Sequence, residues 1–210
     1  MQRPGSEGER GLQRKYESER QALAFYDKQV LDYLNPRMRE YIAVQDLMFV
    51  ATSDRRGHCD NSPRAGEPGF VHVIDDRSLA YPEYRGNGVM ASLGNISENP
   101  SIGLLFVDFC RSTIGLHVNG NAEIAENEEI LDRFASANDR LVDAVEPKTG
   151  RGPERWVYVS VREAYIHCSK HIPLFERRDK DIVWGTDDPA KKGGDYFHAK
   201  SSPRFSREEE

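Results

Sequence analysis

The sequence predicts an α+β protein: an antiparallel β-barrel of six to seven strands with flanking helices. Three observations carry that expectation. Strand-like apolar segments recur at short intervals between Leu47 and Cys168. Compact turns such as Asp54-Arg-Arg-Gly57 join them, which suits antiparallel neighbours. Helical periodicity is confined to a few places, so strands do not alternate with helices as a doubly wound parallel sheet requires.

Residues 1–15 are polar and glycine-containing and read as a disordered tail. Residues 16–45 form an N-terminal helical segment. Leu23, Tyr26, Val30 and Leu34 recur at helical spacing. Asn35-Pro36 interrupts that helix, and Pro36 suits the first turn of a second one with Met38, Tyr41 and Ile42 on its inner side. Residues 46–175 hold the barrel. Its strands are read at Leu47–Ser53, His58–Ser62, Pro68–Ile74 and Ser78–Tyr81. Ser101–Phe109 is apolar on both faces and predicts a central, doubly covered strand. Ile114, Leu116 and Val118 alternate with Gly115, His117 and Asn119, and Gly120 suggests a bulge. Asn127 can cap a helix whose inner face is Ile130, Leu131 and Phe134. Residues 143–154 read as a loop. Arg155–Arg162 opens a last long strand reaching Cys168, with Val157, Val159 and Val161 on one side. Residues 176–210 form a charged, aperiodic extension.

Composition narrows the function. The 210 residues carry 29 Lys and Arg against 35 Asp and Glu, a formal net charge of -6. No basic stripe offsets this, which argues against nucleic-acid binding. The mean hydropathy is -0.71. No apolar run approaches the roughly 20 residues that span a bilayer, and Met1–Arg10 has no apolar core of a signal peptide. A cytoplasmic location is the expectation. Cys59, Cys110 and Cys168 lie far apart with no finger spacing, so reduced thiols that line the core or barrel are expected, and no metal site.

The most informative stretch is Ser78-Leu-Ala-Tyr-Pro-Glu-Tyr-Arg-Gly-Asn-Gly-Val-Met-Ala-Ser-Leu-Gly-Asn-Ile-Ser-Glu-Asn-Pro100. A strand, a basic glycine-containing loop and a helix start bring backbone N–H groups and the Arg85 guanidinium together, a setting for phosphate. Asn61-Ser-Pro-Arg64 adds a second arginine with a hydroxyl. An arginine fork suits phosphate geometry, although each arginine alone reads equally as a surface residue. Gly86-Asn-Gly88 is also readable as a turn requiring positive φ, and Asn95 as a backbone-bonding helix residue. His58-Cys59 and His167-Cys168 are not catalytic dyads, because adjacent strand residues face opposite ways. Asp75-Asp76, Asp187-Asp188 and Glu208-Glu-Glu210 lack the fixed geometry of paired catalytic carboxylates.

These features in this order resemble the pyridoxamine 5′-phosphate oxidase-like superfamily of flavin-binding split barrels. Cys59-Asp-Asn-Ser-Pro-Arg-Ala-Gly66, Pro68-Gly-Phe-Val71, Arg85-Gly-Asn87, Asn99-Pro-Ser-Ile-Gly-Leu-Leu-Phe106 and His117-Val-Asn-Gly-Asn-Ala122 carry the resemblance, which covers roughly residues 40–175. It implies a split β-barrel homodimer with FMN at the subunit interface and a small-molecule substrate. It places Ser62 and Arg64 on the flavin-facing strand, Tyr81, Arg85 and Asn87 around phosphate and ring edge, and Asn95 on the following helix. Lys170 would reach the cofactor or the neighbouring subunit. The family's Arg-x-His substrate motif is Tyr165-Ile-His167 here, so the resemblance implies a flavin-dependent oxidoreductase other than the vitamin-forming oxidase. Two alternatives share the fold: a reductase using the deazaflavin F420, and a non-catalytic flavin or haem carrier or sensor.

Overall fold

The computed structural model describes residues 5–134, 139–145, 152–180 and 182–202. Expectations falling on residues 1–4, 146–151 and 203–210, the Glu208-Glu-Glu210 run among them, lie outside the described residues. The elements in chain order are α1 (Glu7–Lys15), α2 (Glu19–Gln29), α3 (Pro36–Ile42), β1 (Leu47–Ser53), β2 (Cys59–Ala65), β3 (His72–Val73), β4 (Ser78–Glu83), α4 (Ala91–Glu98), β5 (Ser101–Val107), β6 (Gly115–Ala125), α5 (Asn127–Phe134), α6 (Asp139–Val145) and β7 (Arg155–His167). The seven strands form one sheet in the order β2-β1-β5-β6-β7-β4-β3. Every pairing is antiparallel.

The sheet curls until its two sides meet. Met48 and Val50 of β1 share one buried cluster with Leu79 and Tyr81 of β4, although three strands separate β1 from β4 in the sheet. The register of the long β6–β7 pair shifts between Asn119 and Gly120, as the glycine predicted. A Cβ on Gly120 would lie 2.2 Å from the Ser160 carbonyl oxygen, so only glycine allows the strands to approach there. A second cluster, built on Trp156, Ala80, Ile130 and Leu141, packs α5 and α6 on the opposite face of the sheet.

Several local expectations need correction. Residues 1–15 do not read through as tail: α1 forms over Glu7–Lys15, with the Ser6 hydroxyl accepting from the Glu9 N–H and acidic and basic residues at the appropriate ends. α2 stops at Gln29, and Leu31 bridges Ala164 on β7. Pro36 opens α3 as expected, with Asn35 Oδ1 accepting from the Met38 N–H. The expected strand at 68–74 shrinks to His72–Val73, because Gly69 takes φ +86° beside the Ala43 carbonyl and Phe70 turns back onto Glu67. β5 alternates buried Ile102, Leu104 and Phe106 with half-buried Gly103 and Leu105, so its second face is only partly covered. Asn127 does not cap: its amide bridges Trp156 Nε1 and the Pro153 carbonyl. α6 forms without a sequence expectation, and its end at Val145 falls within residues 143–154, expected as a loop. The three cysteines are free and exposed, not core-lining.

The extension after β7 forms no strand or α-helix among the described residues. It lies along the barrel through distributed contacts. Phe175 stacks on Phe109 at 5.3 Å. Arg177 pairs with Asp46. Trp184 stacks on Tyr84 at 6.0 Å and donates from Nε1 to Glu67 at 3.5 Å.

Candidate functional site at the barrel seam

β2 and β4 stand near opposite ends of the strand order, yet curling brings them into contact. Arg64 on β2 donates from Nε to Glu83 Oε1 on β4 at 2.7 Å. The two side chains are 20% and 10% exposed, so the pair closes the seam from within a largely dehydrated position. Burial pushes the Glu83 carboxyl up, and the Arg64 charge opposes that rise.

The rest of the guanidinium ties β2 to α4. Arg64 donates from Nη1 to Ser62 Oγ at 2.7 Å and to the Pro63 carbonyl at 3.1 Å, and from Nη2 to Ser92 Oγ at 3.3 Å. Ser92 donates onward to Asp60 Oδ2 at 2.7 Å. Since the Ser92 proton is committed to Asp60, the Ser62 hydroxyl donates across the 3.1 Å contact to Ser92. Proton directions are therefore fixed along the row Arg64, Ser62, Ser92, Asp60. Guanidinium carries five N–H groups. Four are engaged here, which leaves one on Nη2 for a ligand.

These groups line a cleft of about 880 Å³ together with residues 84–93, Glu154, Arg155, Asp187 and Lys192. α4 begins in the cleft wall. Its N-cap, Met90, takes the left-handed conformation at φ 57°, and no side chain caps the helix. Its first N–H groups thus retain donor capacity beside Ser92. Arg85, half exposed, faces Asp187 Oδ2 at 3.3 Å and Glu154 Oε1 at 4.0 Å. Four basic side chains (Arg64, Arg85, Arg155, Lys192) face four carboxylates (Asp60, Glu83, Glu154, Asp187) in the lining. The cleft is a balanced ionic surface, not a basic pocket.

Of the seven residues singled out from sequence, the cleft brings together Ser62, Arg64, Arg85 and Asn87. Asn87 Oδ1 accepts from the Val89 N–H at 2.9 Å, so its side chain shapes the loop. Tyr81 is not at the cleft surface. It is fully buried in the main core, its hydroxyl without a hydrogen-bond partner, and burial pushes its ionisation upward. Asn95 faces β1 instead, donating to Thr52 Oγ1 at 3.0 Å. Lys170 follows the far end of β7. That strand starts beside the cleft and runs 13 residues, roughly 40 Å at ~3.3 Å per residue. Sequence reasoning missed Asp60, Ser92, Asp187 and Lys192. Ser92 had a usable signal, a hydroxyl in the first turn after the glycine loop. The others had none, because their approach depends on barrel closure and on the path of the extension.

A second chamber of about 640 Å³ adjoins the cleft and shares Pro82 and Tyr84 with it. Phe70, His72, Ile182, Val183 and Trp184 line it. His72 packs edge-on against Trp156 at 5.4 Å, and burial, with the Arg140 charge, lowers its pKa to about 4. Among the described residues, no group of three or more His, Cys, Asp or Glu is placed to hold a metal ion. No described helix is long and apolar enough to cross a membrane.

An antiparallel α+β barrel split along one seam, with an uncapped helix start and arginines at the split, defines the split-barrel class. Residues 34–168, well over half of the chain, match the family model described as pyridoxamine 5′-phosphate oxidase. The chain belongs to that family. Among solved structures it is similar to HupZ of Group A Streptococcus (22% identity, 62% of this chain and 91% of that one, TM-score 0.44). It is also similar to a proposed pyridoxamine 5′-phosphate oxidase of Lactobacillus delbrueckii (19% identity, 65% and 98% coverage, TM-score 0.47). A FAD-binding protein of Mesorhizobium loti is a third (13% identity, 65% and 96% coverage, TM-score 0.41). No curated protein matches the chain.

Proposed function

We propose that the protein is a flavin-dependent oxidoreductase that holds FMN at the barrel seam, as a homodimer. The observation that carries the reading is the convergence of the Arg64–Ser62–Ser92 row, the α4 start and Arg85 on one cleft of about 880 Å³. That volume lies within the range of cofactor sites. The donors fit a phosphate: N–H groups of the first α4 turn, the one remaining N–H of Arg64, and Arg85 once Asp187 and Glu154 release it. Bound flavin would supply the hydride or electron transfer, while the protein binds, orients and shields it. Ser62, Arg64 and Ser92 would hold the phosphate end in register with the barrel. The adjoining chamber, with Tyr84 and Trp184 in its wall, would receive the substrate.

Val89 and Met90 support the dimer, being 71% and 51% exposed on the cleft rim, where a second chain would cover them. Lys170 would reach the cleft only from such a second chain.

The test is the spectrum and mass of the small molecule that copurifies, followed by titration of Arg85→Ala. FMN with its two visible bands, bound at least tenfold more weakly by the variant, is the expected result. A single-band deazaflavin spectrum would assign F420 instead. Unchanged FMN affinity in folded Arg85→Ala would overturn the site.

A further inference from the structure

Remote from the cleft, near the far end of β7, two imidazoles face each other across β6 and β7. His117 stands opposite Tyr165 and His167 opposite Gly115, so the three side chains share one face of the strand pair. His117 Nε2 lies 3.0 Å from His167 Nδ1. The His117 ring is stacked on Tyr165 at 4.7 Å with an 18° interplanar angle, and Phe25 of α2 packs edge-on behind Tyr165 at 5.9 Å. One ring is therefore held by packing. The other has room because Gly115 has no side chain: a Cβ there would lie 2.9 Å from the His167 Cβ. His167 is exposed, so water reaches the pair.

We infer that His117 and His167 form a two-nitrogen site for a divalent transition metal, Cu(II) foremost. The two nitrogens stand 3.0 Å apart, close enough for one ion at ~2.0–2.1 Å from each to hold both as adjacent ligands once the exposed His167 ring turns its lone pair toward it. Imidazole with water in a tetragonal arrangement selects Cu(II) or Ni(II), and Cu(II) binds such donors most tightly of the first-row divalent ions. In the metal-free chain the two nitrogens share a hydrogen bond, which requires one to carry a proton. Metal binding shifts that proton to the other nitrogen of the same ring and needs a rotation of the exposed His167 ring.

The test is titration of the purified full chain with Cu(II) in a weakly coordinating buffer, by calorimetry and by electron paramagnetic resonance. One ion per chain with hyperfine splitting from two nitrogens is expected. His167→Ala and His117→Gln should each weaken binding at least thirtyfold. His58→Ala, which removes an imidazole paired with Asp54, should leave it unchanged. His167 is exposed, so its variant remains folded even if His117→Gln does not. Equal Cu(II) affinity in wild type and His167→Ala, or no binding by the wild type, overturns the proposal.

Discussion

Arg64→Ala should destabilise the protein strongly, and chiefly through the residue it leaves behind. Arg64 and Glu83 form a 2.7 Å pair in which the carboxylate is 10% exposed. Removing the arginine strands a buried negative charge, a change that costs about 3–5 kcal/mol. For a domain of this size each kcal/mol moves Tm by about 2–4 °C, so a fall of roughly 6–20 °C is expected. Glu83→Gln in the same background should recover at least half the loss, because a neutral amide no longer requires a counter-charge. The pH dependence has a definite sign. The folded Glu83 pKa is already raised by burial and is held back by Arg64. Without Arg64 it rises further. A carboxyl with a raised folded pKa favours the folded state most when protonated, and that contribution is lost as pH rises through the folded value. The variant's deficit against wild type should therefore be larger at pH 7.5 than at pH 5. Thermal melts followed by circular dichroism, on wild type, both single variants and the double variant at both pH values, provide the assay. An Arg64→Ala loss below about 1 kcal/mol would refute the reasoning, since it would class the pair with exposed ion pairs. So would additive losses in the double variant.

Other perturbations give equally direct outcomes. Asp187→Asn should tighten FMN binding several-fold by weakening the competitor that stands 3.3 Å from Arg85, and an unchanged or weaker titration would mean that the extension does not compete with the ligand. Tyr81→Phe removes a buried hydroxyl without a partner, so chemical denaturation should show stability equal to wild type or up to about 1–3 kcal/mol higher; a loss beyond about 1 kcal/mol would contradict the burial. His72 is held neutral, with its pKa lowered to about 4. The unfolded chain binds this proton first, so stability should be full above about pH 6.5 and fall by about 3 kcal/mol toward pH 4. Wild type should lose that much more over this window than His72→Phe, and parallel pH profiles would refute the assignment.

The barrel was legible because strand periodicity and turn chemistry are local properties. Gly120 announced its bulge, Asn35-Pro36 its helix start, and Val157, Val159 and Val161 their common face. The failures share a cause in long-range packing. The strand read at 68–74 looked continuous because its apolar residues are real core residues: Phe70 and Val71 are buried. They reach the core from a loop, and Gly69 decides the path. The family resemblance implied Tyr81 as a ligand residue, but its ring lies inside the core, and Glu83, two residues on along the same face and at the end of β4, is the one that meets Arg64. No local signal specified that partner, because the contact exists only after β2 and β4 close the seam.

That closure also alters what the arginines can do. Basic residues beside a glycine loop suggest an open anion site when read along the chain. In three dimensions the same charges recruit carboxylates wherever the fold supplies them. Asp60 arrives through β2, Glu83 through β4, and Asp187 through the extension. The first two are fixed by the barrel, and Arg64 is accordingly a structural cation with one donor to spare. The third belongs to a segment beyond residue 168, where the family match ends. Trp184 and Lys192 come from that same segment and line the same region. The family barrel thus provides most of the cleft lining, whereas the extension adds Asp187 and Lys192 and, with Asp187, one of the two counter-charges to Arg85. Ligand access in this chain should follow the position of the extension more closely than any change in the barrel, because the Arg85–Asp187 contact is half exposed and separable, while the Arg64–Glu83 contact cannot part without opening the fold.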